Sequence, residues 1–373
     1  MGEAKAEPVA RPGEAPLRVL VSLHQGGGAG SVNSVLRLAL GLRERGLHVR
    51  FVCPPGSPVE AEANAGRLEV HPVPLARGGR FTNARALRRL LAGYPVDLVD
   101  AHGARDREAF TWLGLTGRLP VPAIFTRRSW PRTLRVENWL AGRVAARVVA
   151  LSEPVAARLV ATGIPRGKLQ VIHNGVLLDR LDRPVHEAER AAWRERIGGD
   201  PDRRTIAIVA RPKDQWVVLQ ALPLLRTPVR LVLSGLDGVA LTAPLREIPD
   251  RHAVVRLPFL PDVRPLYDLI ELALHPSRWD ALPQAVLEAM ALGKPVIASD
   301  ASGNAVIVRD GLDGLLVHPT DPAAWAVAID RVLGDPAFAA RLGAEARRRA
   351  RGGFPFSRTL DQTIDLYHDV LGR

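Results

Sequence analysis

Cysteine is almost missing from this chain. Among 373 residues there is one, Cys53, so an internal disulfide and a Cys-rich metal site are both excluded. Cys53 closes an apolar strand pattern and reads as a buried thiol rather than a nucleophile. Lysine is scarce too, occurring only at Lys5, Lys168, Lys213 and Lys294, so the net charge of +12 rests on arginine. A balance of that sign favours anionic partners such as acidic lipid or phosphorylated substrates, unless it only echoes a GC-rich coding sequence. Nucleic acid is not expected, because no recognition motif accompanies the charge. No run approaches the ~18 apolar residues of a membrane-spanning helix. Residues 1–16 are rich in Ala, Glu, Pro and Gly and have no apolar core. They read as a disordered tail and not as a secretory signal, which makes a cytoplasmic location the expectation. Neither an internal repeat nor a metal-ligand cluster is visible.

What is present describes a globular α/β protein: 47% apolar and 24% charged residues, with a length suited to two domains. Leu17 to Leu23 is a buried strand. The loop His24-Gln25-Gly26-Gly27-Gly28-Ala29-Gly30-Ser31 follows, then an amphipathic helix and a second strand ending at Cys53. This is a Rossmann-type opening without the dinucleotide fingerprint. Ser31 takes the third glycine position, and Cys53-Pro54-Pro55 stands where an acidic residue should end the strand. A strand from Val96 ends in Asp100-Ala101-His102-Gly103, and Arg105-Asp106-Arg107 after it could face an anionic acceptor or solvent, with the solvent-facing reading preferred. Asp182 to Arg204 carries Pro, charge and Gly-Gly, as linkers do. A strand from Thr205 then leads into Arg211-Pro212-Lys213-Asp214-Gln215-Trp216.

The most informative stretch runs from Leu274 to Asp300. A strand ends near Leu274, a polar loop follows, and Pro283 opens a helix whose Val286, Leu287, Met290 and Ala291 form one apolar stripe. Gly293 and Pro295 end that helix. Its free N-terminal N–H groups and positive dipole end suit a phosphate, and Asp280 and Glu288 flank it.

Pro283, Glu288, Ala289, Ala291, Gly293, Pro295 and Val296 stand in the register of the donor-binding signature of the family 4 retaining glycosyltransferases, which this chain resembles. Asp280 replaces the usual Glu and Ala281 the usual Gly. The Gly-rich loop, the Asp97-to-His102 element and the Asn174-Gly175-Val176 turn resemble the family as well. The resemblance implies the GT-B architecture, two Rossmann-like parallel-sheet domains facing across a cleft. It implies an acceptor-side domain at 17–180, a nucleotide-sugar domain at 181–355 and a C-terminal helix at 356–373 crossing back to the first. It implies retaining transfer of a sugar from a nucleotide diphosphate sugar, with a UDP-sugar favoured, and no cofactor or metal. Asp280 would hold sugar hydroxyls and Glu288 the ribose. Arg211 and Lys213 would clamp the diphosphate, and His102 would lie beside the donor sugar and acceptor. Gly27, Gly28, Phe259, Leu260, Ala281, Leu282, Pro283 and Gln284 would complete the donor site. The expected acceptor is a glycolipid or lipopolysaccharide-type molecule of the cell envelope. It would be met at an anionic membrane on the inner face of the plasma membrane through Arg85, Arg88, Arg89, Arg127, Arg128, Arg132, Arg135, Trp130 and Trp139. The alternatives are a nucleotide-sugar epimerase of the same architecture and a non-catalytic nucleotide-sugar-binding protein.

Overall fold

A computed structural model describes residues 15–27, 30–131, 134–236, 245 and 247–373. Gly28, Arg132 and most of the expected tail lie outside the described residues. The chain divides into two units, Met1–Asn174 with Ser357–Arg373, and Gly175–Phe356. The division falls at Asn174 and not at residue 180, and the chain re-enters the first unit at Ser357.

The first unit is built on strands β1 (Arg18–Ser22), β2 (His48–Cys53), β3 (Glu69–Pro72), β4 (Leu98–Ala101), β5 (Ala123–Arg127), β6 (Arg147–Ala150) and β7 (Leu169–Val171). All pair in parallel, in the order β3-β2-β1-β4-β5-β6-β7. Their apolar runs follow from that arrangement, since helices cover both faces of a parallel sheet. Those helices are α1 (Gly30–Glu44), α2 (Pro58–Ala65), α3 (Arg80–Gly93), α4 (Ala104–Leu115), α5 (Arg135–Val144) and α6 (Glu153–Ala161). The strand order reverses between β1 and β4, and such a switch point opens a crevice at the carboxyl ends of the strands.

The second unit carries β8 (Arg204–Val209), β9 (Val229–Ser234), β10 (Ala253–Leu257), β11 (Leu272–His275), β12 (Val296–Ser299) and β13 (Leu315–Val317). This sheet is also parallel, in the order β10-β9-β8-β11-β12-β13, with its switch between β8 and β11. Helices α7 (Leu178–Leu181) and α8 (Glu187–Ile197) precede it. The stretch read as a linker is therefore partly helical. Only Ile197 of α8 is buried, so no apolar stripe betrayed the helix. Then come α9 (Trp216–Ala221), α10 (Arg264–Leu269), α11 (Gln284–Ala291), α12 (Asn304–Ile307), α13 (Pro322–Gly334) and α14 (Pro336–Gly353). Ile206, Leu231, Leu274, Ile297 and the fully buried Trp325 form the core. Asp321 caps α13, accepting from the Ala323 and Ala324 N–H groups at 3.0 and 3.1 Å.

The last helix, α15 (Phe356–Leu371), buries Thr359, Leu360, Thr363, Ile364, Leu366 and Tyr367 along one face. Each unit is thus Rossmann-like, as the resemblance implied. Among the described residues no helix is long and apolar enough to cross a membrane.

Candidate active site

Two loops at the carboxyl ends of β8 and β11 meet in the second unit. Gln215, buried in the first loop, donates to Arg211 O at 2.7 Å and accepts from the Lys213 N–H at 2.5 Å. This fold of the loop directs Lys213 Nζ to Asp280 Oδ1, with which it forms an ion pair. His275, the last residue of β11, donates from Nε2 to Asp280 Oδ2 at 2.8 Å, since a carboxylate only accepts. Burial opposes ionisation of Asp280, but the His275 hydrogen bond and the charges of His275 and Lys213 outweigh it. They hold the carboxyl well below its usual range. The group stays accessible, with side-chain exposures of 24% for Lys213 and 17% for Asp280.

The Asp214 carboxylate, where the family usually has glycine, joins the same two loops. It is buried, and it accepts from Arg278 N, Nε and Nη2 at 2.9, 3.0 and 2.8 Å. A third loop braces the second. Gly303 donates to Asp280 O at 2.9 Å, and a Cβ at Gly303 would lie 2.1 Å from Ala281 O. Ser302 Oγ donates to Arg278 O at 2.6 Å, and Asn304 Nδ2 to Ser277 O at 3.1 Å. The Asp280 backbone is therefore fixed from two sides.

Arg211 is exposed, and its guanidinium has no ion-pair partner among the described residues. Ala281, Leu282 and Pro283 are buried just before α11. Gln284 opens that helix, and its buried Nε2 lacks a hydrogen-bond partner among the described residues. Glu288 is half-buried one turn on, and its charge adds to burial in raising the Tyr267 phenol well above its usual range. Leu260 is buried and Phe259 half-buried. The sequence reading missed His275 and the Asp214–Arg278 pair. A histidine closing an otherwise apolar strand was the available signal.

His102 and Gly27 belong to the first unit. Gly27 is exposed, and a Cβ there would meet the Pro58 ring at 3.2 Å; one at Gly26 would lie 2.8 Å from Ser57 Cβ. These glycines let the loop lie against the start of α2. The expectation that His102 faces a ligand is corrected. Its imidazole is 0% exposed, its Nδ1 accepts from Arg128 Nε at 2.9 Å, and its Nε2 lies 3.2 Å from Asp100 Oδ2. Asp100 also accepts from Tyr367 Oη at 2.7 Å and Thr126 Oγ1 at 2.9 Å. Burial lowers the His102 pKa; the ring accepts at Nδ1, while its buried Nε2 makes no hydrogen bond among the described residues.

Arg127 and Arg128 do not form an outward basic surface either. Arg127 donates to Asn138 Oδ1 at 2.6 Å, and Arg128 Nη1 to Asn174 Oδ1 at 2.8 Å. The solvent-facing reading of Asp106 and Arg107 is corrected as well, because both are buried. Asp106 accepts from Ser22 Oγ at 2.9 Å and from the Gly103 N–H at 2.8 Å, and lies 3.2 Å from His24 Nδ1. An aspartate three residues into a helix turns back to cap it. Cys53 is buried, and burial pushes its thiol up to about 12. Among the described residues no group of His, Cys, Asp and Glu is placed to hold a metal ion.

Residues 28–180 match Glycosyltransferase Family 4, and residues 203–335 match Glycosyl transferases group 1. A D-inositol 3-phosphate glycosyltransferase of Nocardia farcinica is 33% identical over 245 residues, covering 61% of this chain and 53% of that protein. The chain spans between about half and two-thirds of the curated relatives it matches. Two solved structures share the fold. Anabaena Alr3699/HepE, in complex with UDP and glucose, gives a TM-score of 0.81 at 19% identity, covering 95% of this chain and 100% of that one. WaaG, a glycosyltransferase involved in lipopolysaccharide biosynthesis, gives 0.71 at 17%, covering 94% and 99%. Two parallel-sheet units, the signature around Asp280 and Glu288, and matches along both halves lead to one assignment: the chain belongs to the family 4, group 1 glycosyltransferases of GT-B fold.

Proposed function

We propose that this chain moves a sugar, with retention, from a nucleotide diphosphate sugar to an acceptor hydroxyl. The observation that carries the reading is the grouping in the second unit. An exposed, unpaired Arg211 shares a loop with Lys213, which is paired to Asp280 ahead of the α11 N-terminus. A departing diphosphate gains negative charge in the transition state, and fixed cations and N–H dipoles stabilise it. Arg211, Lys213 and the first turn of α11 supply these. Asp280 takes the sugar hydroxyls, Glu288 the ribose, and Phe259 and Leu260 pack the base. The acceptor hydroxyl attacks from the leaving-group face, and its proton passes to the departing phosphate. No side chain is needed as nucleophile. His102, enclosed as it is, positions the carboxyl end of β4.

The complex of HepE with UDP and glucose supports a UDP-sugar donor. A glycolipid or lipopolysaccharide-type acceptor at an anionic inner membrane surface draws support from WaaG and from the first unit. There Leu134, Val136 and Trp139 are exposed, near Arg135 in sequence, and Arg85, Arg88 and Arg89 are exposed on α3. Turnover against a panel of nucleotide sugars, with the anomeric configuration of the product read by NMR, tests the proposal. Transfer with retention is expected. Donor interconversion without an acceptor, or binding without turnover of any donor, overturns it.

A further inference from the structure

Two imidazoles stand where the sheet of the first unit reverses its strand order, between β1 and β4. His102 directly follows β4, and its side chain is sealed at 0% exposure. His24 follows β1, and 12% of its side chain is exposed. The carboxyl ends of the strands at such a switch point are where open α/β sheets take their ligands.

The His24 ring is held in one orientation. Its Nδ1 lies 3.2 Å from Asp106 Oδ1, and a carboxylate only accepts, so Nδ1 donates. Asp106 is itself fixed. Its side chain is 0% exposed, and Oδ2 accepts from the Gly103 N–H at 2.8 Å and from Ser22 Oγ at 2.9 Å. The imidazole lies directly on Gly103, where a Cβ would come within 2.0 Å of His24 Nδ1 and 2.9 Å of Cε1. Only glycine leaves room for the ring at the start of α4. The Nδ1–Cε1 edge is therefore turned to the protein. In the neutral ring Nε2 is then a bare acceptor, since the bond at one nitrogen decides where the proton sits. Nε2 makes no hydrogen bond among the described residues. An imidazole tied at one nitrogen to a buried carboxylate and unbonded at the other suits a hydroxyl donor.

We propose that His24 binds a polyhydroxylated ring, a sugar or a cyclitol, by accepting a hydrogen bond from one of its hydroxyls at Nε2, with Asp106 as the residue that positions the imidazole. That this ring is the acceptor rests on the transfer reading; its binding does not. Long-range 1H–15N NMR spectra of the full chain test it without a donor. The probes are methyl α-D-glucopyranoside, methyl α-D-galactopyranoside, methyl α-D-mannopyranoside and myo-inositol. At about pH 8, above the ordinary histidine range, His24 should carry its proton on Nδ1 and show a bare Nε2. At least one probe should shift that Nε2 signal saturably and leave the His102 signals in place; which probe does so separates sugar from cyclitol. His24→Asn keeps an N–H for Asp106 and should weaken that probe's binding about tenfold by calorimetry, the worth of one hydrogen bond. In Asp106→Asn the Gly103 and Ser22 donors retain the side-chain oxygen, so the amide N–H faces His24 and the proton should move to Nε2. Affinity for UDP should not change in either variant. A proton on Nε2 in the neutral wild-type ring, no response to any probe, or unchanged binding by folded His24→Asn would each overturn the proposal. Sugar transfer without a His24 response would sink this inference alone, whereas a His24 response in a chain that transfers no sugar would sink only the reaction.

Discussion

Each unit holds a carboxylate, an imidazole and a cation at the carboxyl end of its sheet. In the first unit they are Asp100, His102 and Arg128; in the second, Asp280, His275 and Lys213. The chemistry is alike and the surroundings are not. The Asp100 and His102 side chains are 2% and 0% exposed, and α15 places Tyr367 on the same carboxylate. Asp280 and Lys213 keep an open side. A closed group is shut off from any ligand by the protein packed around it. An open one can exchange a partner for a ligand. Burial, more than residue type, separates the group that holds the fold from the one suited to bind a substrate.

The largest effect should come from breaking the closed group. Asp100→Ala leaves Arg128 without its nearby carboxylate and Tyr367 without an acceptor. Removing one partner of a buried pair costs about 3–5 kcal/mol, a Tm loss on the order of 10 °C in a unit of this size. Affinity for UDP should be unchanged, as titration calorimetry will read; weakened UDP binding in folded Asp100→Ala would break the contrast between the groups. Next is Arg211→Ala, for which a fall of roughly a hundredfold in kcat/KM follows from ~3 kcal/mol of lost charge stabilisation, with Tm nearly unchanged. Full activity in the purified variant would remove Arg211 from the site.

Asp280→Asn sharpens the comparison further. Most turnover should be lost while UDP affinity stays near wild type, and Asp280→Glu should alter the ranking of donor sugars. Wild-type turnover by Asp280→Asn with the preferred donor would sink the sugar-binding role. The same variant has an acid signature. The folded Asp280 pKa lies below the unfolded value of about 3.9. Its stabilising contribution is therefore complete above about pH 5, and it is lost as pH falls through the folded value. The stability gap between wild type and Asp280→Asn should be flat above pH ~5 and shrink in acid; denaturant midpoints across that range measure it. Smallest is the surface effect. Each neutralised cation among Arg85, Arg88 and Arg89 should weaken binding to anionic vesicles by about 1 kcal/mol. Equal co-sedimentation with neutral vesicles would dismiss the membrane surface.

Much of the second unit was legible because its signals are local. The Leu274–Asp300 stretch carries a strand, a helix start, an apolar stripe and a helix stop within a few turns of chain, and the structure has β11, α11 and β12 there. Helix α8 was not legible, because its exposed, charged surface shows no buried stripe. Asp106 and Arg107 were misjudged because charge predicts exposure only where no partner waits inside. Their partners lie on Ser22 and Gly103 for Asp106, and on His102 and Thr126 for Arg107.

The order of apolar runs, turns and caps determined by itself that the chain makes strand–helix repeats, and the resemblance of its motifs to a known family added the two parallel sheets. Hydrophobic periodicity needs only neighbouring residues to be read. Which carboxylate is sealed and which is open was decided by tertiary structure alone. Tyr367 reaches Asp100 across 267 positions of sequence, and Lys213 reaches Asp280 across 67. A polar side chain carries no mark of its distant partner, and its burial is settled only when the sheets and the last helix pack.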